Sequence, residues 1–294
     1  MFKELNGVLT ALVTPFDKDG AFDADTMRQV VDRNVDGGVD AVVAGGGTGE
    51  WAWLTEDERL TLFDVVIEQT AGRVPVIAQT GAMSASQAVK LSKAAERAGS
   101  DVIMLAAPYY EPLTLPEMIR YIKTVATSVD LPVMIYNNPG AFGMNLTADD
   151  IGKLGREVEN IRYVKDSSKD WEQALHILRY HHEHIALIMG WDSFSFAALL
   201  EGAVGVMAGV ANVIPEEFAT VVRALRAGEI NKARAEWHRI FPVVDTMVNI
   251  PFVQGVKAGM AMTGLPVGAP REPLAELPTD DAKRLAAALA GIGR

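Results

Sequence analysis

Three short stretches of the 294-residue sequence hold residues suited to chemistry on a carbonyl compound. The first is Gly45-Gly46-Gly47-Thr48-Gly49-Glu50. Glycines following an apolar run let backbone N–H groups converge on an anion with no Cβ in the way, and the Thr48 hydroxyl adds a donor. The run has no P-loop lysine and lacks dinucleotide-fingerprint spacing, and by itself it is equally a plain tight turn. The second stretch, Tyr136-Asn137-Asn138-Pro139, offers a phenol, although tyrosine is also an ordinary strand residue. The third is Val164-Lys165-Asp166. Burial at the end of an apolar strand penalises an ammonium ion and frees the amine lone pair to attack a carbonyl. A single such lysine is also compatible with snorkelling or with an ion pair to Asp166. Taken together, the three supply an anion holder, an acid/base and an amine nucleophile, the set required by a carboxylate-bearing carbonyl compound.

The elements that must position these residues alternate regularly. Apolar runs at residues 8–14, 41–44, 74–78, 101–106, 132–136, 162–165, 185–189 and 205–207 are each followed by an amphipathic stretch. Those stretches cover residues 23–37, 55–71, 84–98, 115–128, 147–155, 170–180, 193–201 and 215–227. Asp23 is placed to cap the first helix, and Thr55 with Glu58 has capping-box spacing. The near-continuous apolar character of the strands suits a parallel sheet buried on both faces. Eight such units predict an α/β fold, a closed (β/α)8 barrel, with chemistry at the C-terminal strand ends. The glycine run, Tyr136 and Lys165 then close strands two, five and six. Beyond Gly228 the strand signal stops, and residues 229–248, 251–264 and 280–290 read as three helices. The predicted division is a catalytic barrel over 1–228 and a helical domain over 229–294.

Composition removes several function classes. With 38 acidic against 27 basic residues the net charge is −11, which disfavours nucleic acid and anionic membrane as partners. No cysteine is present, so disulfides, thiolate metal sites and cysteine nucleophiles are excluded. Met1–Asn6 has no signal-peptide pattern, and the most apolar run, 194–213, is broken by Glu201 and glycines. A soluble cytoplasmic protein is the expectation. His181-His182-Glu183-His184 lacks the i, i+4 pair of a helical metal site and reads as a solvated helix terminus. The five tryptophans form no stripe beside basic residues, and no Gly-x-Ser-x-Gly elbow occurs.

The same motifs resemble the signatures of the dihydrodipicolinate synthase / N-acetylneuraminate lyase superfamily of Schiff-base class I aldolases. The resemblance rests on Gly46–Glu50, Tyr136-Asn137-x-Pro139 and Tyr163-Val164-Lys165-Asp166-Ser167-Ser168. It extends to Ala107-Pro108-Tyr109-Tyr110 and to the tail from Gly264 to Pro273. It implies a barrel with a C-terminal helical domain, a homotetramer built as a dimer of dimers, and Schiff-base chemistry on pyruvate or another 2-oxo acid without metal or organic cofactor. Carried over by position, Lys165 forms the imine and Tyr136 shuttles protons. Thr48, with the N–H groups of Gly47 and Thr48, holds the carboxylate. Tyr110 matches a tyrosine that reaches the neighbouring active site across a dimer, and Met207 matches a position whose carbonyl faces the Schiff base. Glu50 is expected to point away from the cradle and bond the loop backbone.

Departures from the family pattern bear on substrate. The synthases carry a carboxylate-gripping arginine five residues after the strand-five tyrosine, a position held here by Ala141. An alanine supplies no bidentate cation. The hydroxyl residue before Thr48 is replaced by Gly47, as in sugar-acid dehydratases such as the 5-dehydro-4-deoxyglucarate dehydratases, but the residues after Tyr136 do not match that branch. Trp51, Glu56, Arg59, Met83 and Gln87 do not match the lysine feedback site of some synthases. Ala141, Phe142, Asp192, Ser193 and Phe252 are the expected distal pocket. Asp192 and Ser193 would meet substrate hydroxyls there, although Asp192 is equally a helix N-cap.

The leading expectation is a Schiff-base lyase, aldolase or dehydratase, acting on pyruvate or a hydroxylated 2-oxo acid. One alternative is an authentic 4-hydroxy-tetrahydrodipicolinate synthase, with Arg271 or a partner subunit as the missing carboxylate donor. Another is a non-catalytic 2-oxo-acid-binding module.

Overall fold

The computed structural model describes residues 4–294. Eight strands close into a barrel in chain order. Strands and helices alternate as β1 (Gly7–Ala11), α1 (Ala24–Asp36), β2 (Ala41–Ala44), α2 (Glu56–Thr70), β3 (Val76–Gln79), α3 (Ala85–Ala98), β4 (Val102–Leu105) and α4 (Leu115–Ala126). They continue as β5 (Val133–Asn137), α5 (Pro139–Phe142), α6 (Ala148–Glu157), β6 (Ile161–Asp166), α7 (Trp171–His176), β7 (Ala186–Met189), α8 (Ser195–Glu201), β8 (Gly205–Ala208) and α9 (Pro215–Arg226). Three helices follow: α10 (Ile230–Val248), α11 (Phe252–Met262) and α12 (Thr279–Gly291). None of the described helices is long and apolar enough to cross a membrane.

Local chemistry sets the element boundaries. The Asp23 carboxylate caps α1 by accepting from the N–H groups of Asp25 and Thr26. Thr55 with Glu58 opens α2, and Thr147 with Asp150 opens α6, each through a reciprocal capping box. Gly99 and Gly202 end α3 and α8 in the left-handed conformation. β2, β3 and β4 are buried throughout, as a sheet covered on both faces requires.

Contacts group the chain into two compact units. Residues 4–6 with Pro75–Met207 form one, whose core includes Ile77, Leu91, Ile103, Met104, Leu105 and Met134, all fully buried. Within it the Leu5 N–H donates to the Tyr163 hydroxyl at 3.2 Å. The other unit, Gly7–Val74 with Ala208–Arg294, centres on Leu9, Leu12, Met27, Leu62, Phe63 and Phe218. In that unit the Trp237 ring lies against Phe218 and Phe241, and Arg33 of α1 donates to the carbonyls of Val213 and Thr263.

Four features differ from the sequence expectation. β1 stops at Ala11 because Asn212 takes over its ladder: the Val13 N–H donates to Oδ1, and Nδ2 donates to the Ala11 carbonyl. The predicted helix 170–180 becomes α7 followed by a π-helical turn, Ile177–His181. His181 is not solvated; its ring packs against Gly152, where an added Cβ would lie 2.2 Å from Nδ1. Its Nε2 stands 3.0 Å from Asp149 Oδ1. Finally, Pro139 starts an unpredicted turn of helix that ends at Gly143 with φ +70°.

Candidate active site

The period of two along β6 sends Lys165 and Asp166 to opposite faces. Lys165 is 6% exposed. Parallel pairing places it beside Tyr136 of β5, with Asn137 beside Asp166. Lys165 Nζ lies 4.0 Å from the Tyr136 ring centroid, and Asn138 Nδ2 donates to the phenol oxygen at 3.0 Å. Burial opposes ionisation of this phenol most strongly. The Lys165 charge and the hydrogen bonds from Asn138 and Lys165 outweigh it, so the phenol titrates below its ordinary range. Phe142 meets the same ring edge-on, with centroids 5.3 Å apart.

Two devices fix the lysine. On one side, Ser167 Oγ donates to the Gly190 carbonyl at 2.8 Å, and Gly190 leaves no room for a side chain. A Cβ there would stand 2.2 Å from Ser167 Oγ and 2.9 Å from Lys165 Cγ. On the other side, Asp166 accepts from Asn137 Nδ2 (2.9 Å), Gln173 Nε2 (3.2 Å) and Ser168 Oγ (2.8 Å). Asn145 completes this network, accepting from Asn137 and donating to Gln173. Burial raises the Asp166 pKa despite the three side-chain donors. Loss of any one of these partners would leave a buried polar atom unsatisfied, at a cost of about 1–3 kcal/mol.

The glycine run forms a turn in which the Glu50 N–H donates to the Gly47 carbonyl at 3.1 Å. Gly49 is sterically required, because a Cβ would stand 2.9 Å from the Leu12 carbonyl oxygen. Gly47 is not, because a Cβ there would meet nothing within 4 Å. The N–H groups of Gly47 and Thr48 and the Thr48 hydroxyl have no hydrogen-bond partner among the described residues. These are free donors, as an anion cradle needs. Beside them, Phe252 covers Gly209: a Cβ on Gly209 would fall 2.5 Å from the Phe252 ring and 3.1 Å from Thr48 Oγ1.

Glu50 turns away from the cradle, as expected, but its partners are not the loop backbone. It is fully buried at φ +58°, ion-paired with Lys257 of α11 at 2.9 Å, and accepts from the Arg271 N–H at 2.8 Å. A buried carboxylate demands a full counter-charge, which a loop N–H alone does not provide. Lys257 also donates to the Ala269 carbonyl and sits over the Phe16 ring. The Arg271 guanidinium is committed elsewhere, to Glu58 and to the carbonyls of Gly20 and Trp53. It is therefore not the spare carboxylate donor considered from sequence.

The remaining predicted residues are placed as follows. Ala141 is exposed on α5, and Phe142 is buried there. Asp192 is buried and Ser193 half-buried in a 3-10 turn after β7, and the N-cap position of α8 is held by Phe194. Met207 is buried in β8, and Tyr110 stands 79% exposed. The structure brings Lys165 together with Tyr136, and Thr48 together with Phe252. Sequence reasoning missed Gly190, Gly209 and Lys257 as supports. The only available signal for the two glycines was their position within two residues of the ends of the seventh and eighth apolar runs.

The family model for the dihydrodipicolinate synthetase family matches residues 4–292. A 4-hydroxy-tetrahydrodipicolinate synthase of Pelobacter propionicus is 36% identical, the match covering 97% of this chain and 96% of that protein. 4-hydroxy-tetrahydrodipicolinate synthase 1 of Halalkalibacterium halodurans is 34% identical over 96% of this chain and 95% of its own. Among solved structures, the dihydrodipicolinate synthase DapA-2 of Bacillus anthracis superposes with TM-score 0.94 at 34% identity, covering all of both chains. YagE, a prophage protein of E. coli K12 solved in complex with pyruvate, gives TM-score 0.93 at 28% identity, over 98% of each chain. Fold and relatives together define a (β/α)8 lyase. The chain belongs to the dihydrodipicolinate synthetase family.

Proposed function

We propose that this lyase binds pyruvate or a hydroxylated 2-oxo acid as an imine on Lys165. In a (β/α)8 barrel the reacting groups come from the C-terminal strand ends, and the residues assigned here follow β2, β5 and β6. Thr48 and the free N–H groups of Gly47 and Thr48 hold the carboxylate. The Lys165 amine adds to C2, Tyr136 relays a proton to the departing oxygen, and water leaves. The resulting iminium takes up the electron pair released at C3 when a C–H or C3–C4 bond breaks. Returned as an enamine, that pair forms a C3–C4 bond or expels a C4 hydroxyl. No metal or organic cofactor enters this scheme. The observation that carries it is the register pairing of Lys165 with a phenol of lowered pKa.

Borohydride reduction in the presence of pyruvate should add a pyruvyl-sized mass to Lys165, located by peptide mass spectrometry. An unmodified Lys165 would overturn the proposal. A second reading, condensation of pyruvate with aspartate semialdehyde, is favoured by the names of the curated relatives. Ala141 and the committed Arg271 weigh against it. Turnover of that pair at rates typical of such enzymes would establish it. The same proposal takes residues 1–228 as the catalytic barrel and 229–294 as a helical extension, in a cytoplasmic homotetramer. The exposure of Tyr110 is consistent with a role across a dimer contact. Sedimentation analysis tests the assembly.

A further inference from the structure

Lys169 has a left-handed backbone, φ +65°, which glycine adopts freely and a side-chain-bearing residue does not. The residues around it hold that conformation in place. Ser168 Oγ donates to Asp166 and accepts from the Asp170 N–H at 3.1 Å, while the Asp170 carboxylate caps α7. The outcome is that Lys169 Nζ lies 4.0 Å from the centroid of the Trp191 ring. Trp191 directly follows Gly190, the residue against which Lys165 packs, and directly precedes Asp192 and Ser193. Two further ties join the same loops: Ser167 Oγ to the Gly190 carbonyl, and the edge-on contact of Trp171 with Phe194 at 5.7 Å. A strained residue retained within a well-bonded loop points to a use for its side chain.

We propose that Lys169 is a positioning residue for substrate specificity. Its ammonium clasps Trp191 and thereby fixes Asp192 and Ser193 to receive the hydroxyls of a substrate tail. This rests on the Schiff-base reading above, and deepens it by naming polyhydroxylated 2-oxo acids as the class selected. Lys169 acts through the Trp191 ring, so its influence falls on the tail of the substrate.

The test compares Lys169→Arg, Lys169→Met and Lys169→Gly. Arginine and methionine share the backbone strain of lysine, but only arginine keeps a cation for the ring. Steady-state kinetics with a hydroxylated 2-oxo acid of five or six carbons should give a KM raised about three- to five-fold in Lys169→Met and Lys169→Gly, and restored in Lys169→Arg. Lys169→Gly should melt no lower than the parent, since the strain is relieved. Equal KM in the Met and Arg variants, or a KM loss that tracks melting temperature, would overturn the clasp. Pyruvate trapping on the parent enzyme separates the two ideas. A trapped adduct with unaltered tail KM sinks this inference alone, whereas an untrapped parent sinks the underlying reading.

Discussion

Replacing Lys257 by methionine would leave Glu50, with no exposed surface, facing a thioether in place of an ammonium ion at 2.9 Å. The gross attraction at that separation is about 6 kcal/mol at an effective dielectric constant near 20, and desolvation of both charges cancels much of it. Deleting one partner removes the attraction and keeps the cost of burying the other, which sets the expected loss at about 3–5 kcal/mol. One donor remains, the Arg271 N–H at 2.8 Å, so the lower half of that range is favoured. For a chain of 294 residues the melting temperature should fall by about 5–7 °C in scanning calorimetry. Glu50→Gln in the same background should restore most of the loss, because a neutral amide beside methionine costs less than an unpaired carboxylate. Pyruvate capture should weaken in the single variant, since Glu50 holds the cradle turn at φ +58°. A single-variant loss under about 1 kcal/mol, or a double variant as unstable as the sum of the singles, would refute this account of the pair.

Gly190→Ala places a methyl group 2.2 Å from Ser167 Oγ and 2.9 Å from Lys165 Cγ, so the Lys165 side chain must shift. The rate of borohydride-trappable imine formation should fall about 100-fold with the fold intact by circular dichroism, and an unchanged rate would refute the close-packing argument. Glu58 is held at about 2 instead of 4.5, chiefly by its hydrogen bond to Arg271. A depressed carboxylate stabilises the fold fully above the unfolded value and loses that contribution as pH falls from about 4.5 through about 2. After screening at this partly exposed site it amounts to about 1 kcal/mol. Urea titrations between pH 5 and pH 2 should show that loss in the parent and a smaller one in Arg271→Ala.

The elements of the barrel were legible because their signals are local. β2 and β4 are unbroken apolar runs, and Thr55 with Glu58 announces the start of α2 three residues ahead. Lys165 and Tyr136 stand out in the sequence because each closes such a run, and their pairing across β5 and β6 follows from that. What escaped notice depends on partners distant in sequence. Glu50 needs Lys257, over two hundred residues away, and nothing near either residue signals the other. His181 reads as a solvated terminus until Gly152 of α6 is seen to leave a slot for its ring. Gly190 differs from an ordinary loop glycine only through the Lys165 and Ser167 side chains packed against it. The end of β1 is hidden from the sequence for the same reason, because an Asn212 side chain from the loop after β8 bonds the Ala11 carbonyl and the Val13 N–H.

Gly47 occupies a different position from the glycines around it. Gly49 is locked by the Leu12 carbonyl, whereas Gly47 has room for a side chain and no left-handed backbone to forbid one. The turn that presents the free N–H groups therefore does not depend on which residue stands at 47. A one-codon change there could install a hydroxyl, a thiol or a methyl group at the rim of the cradle without remodelling the backbone. Divergence in what this barrel accepts can begin at that residue while the folding problem stays solved, which makes position 47 a natural first target for redirecting the enzyme in the laboratory.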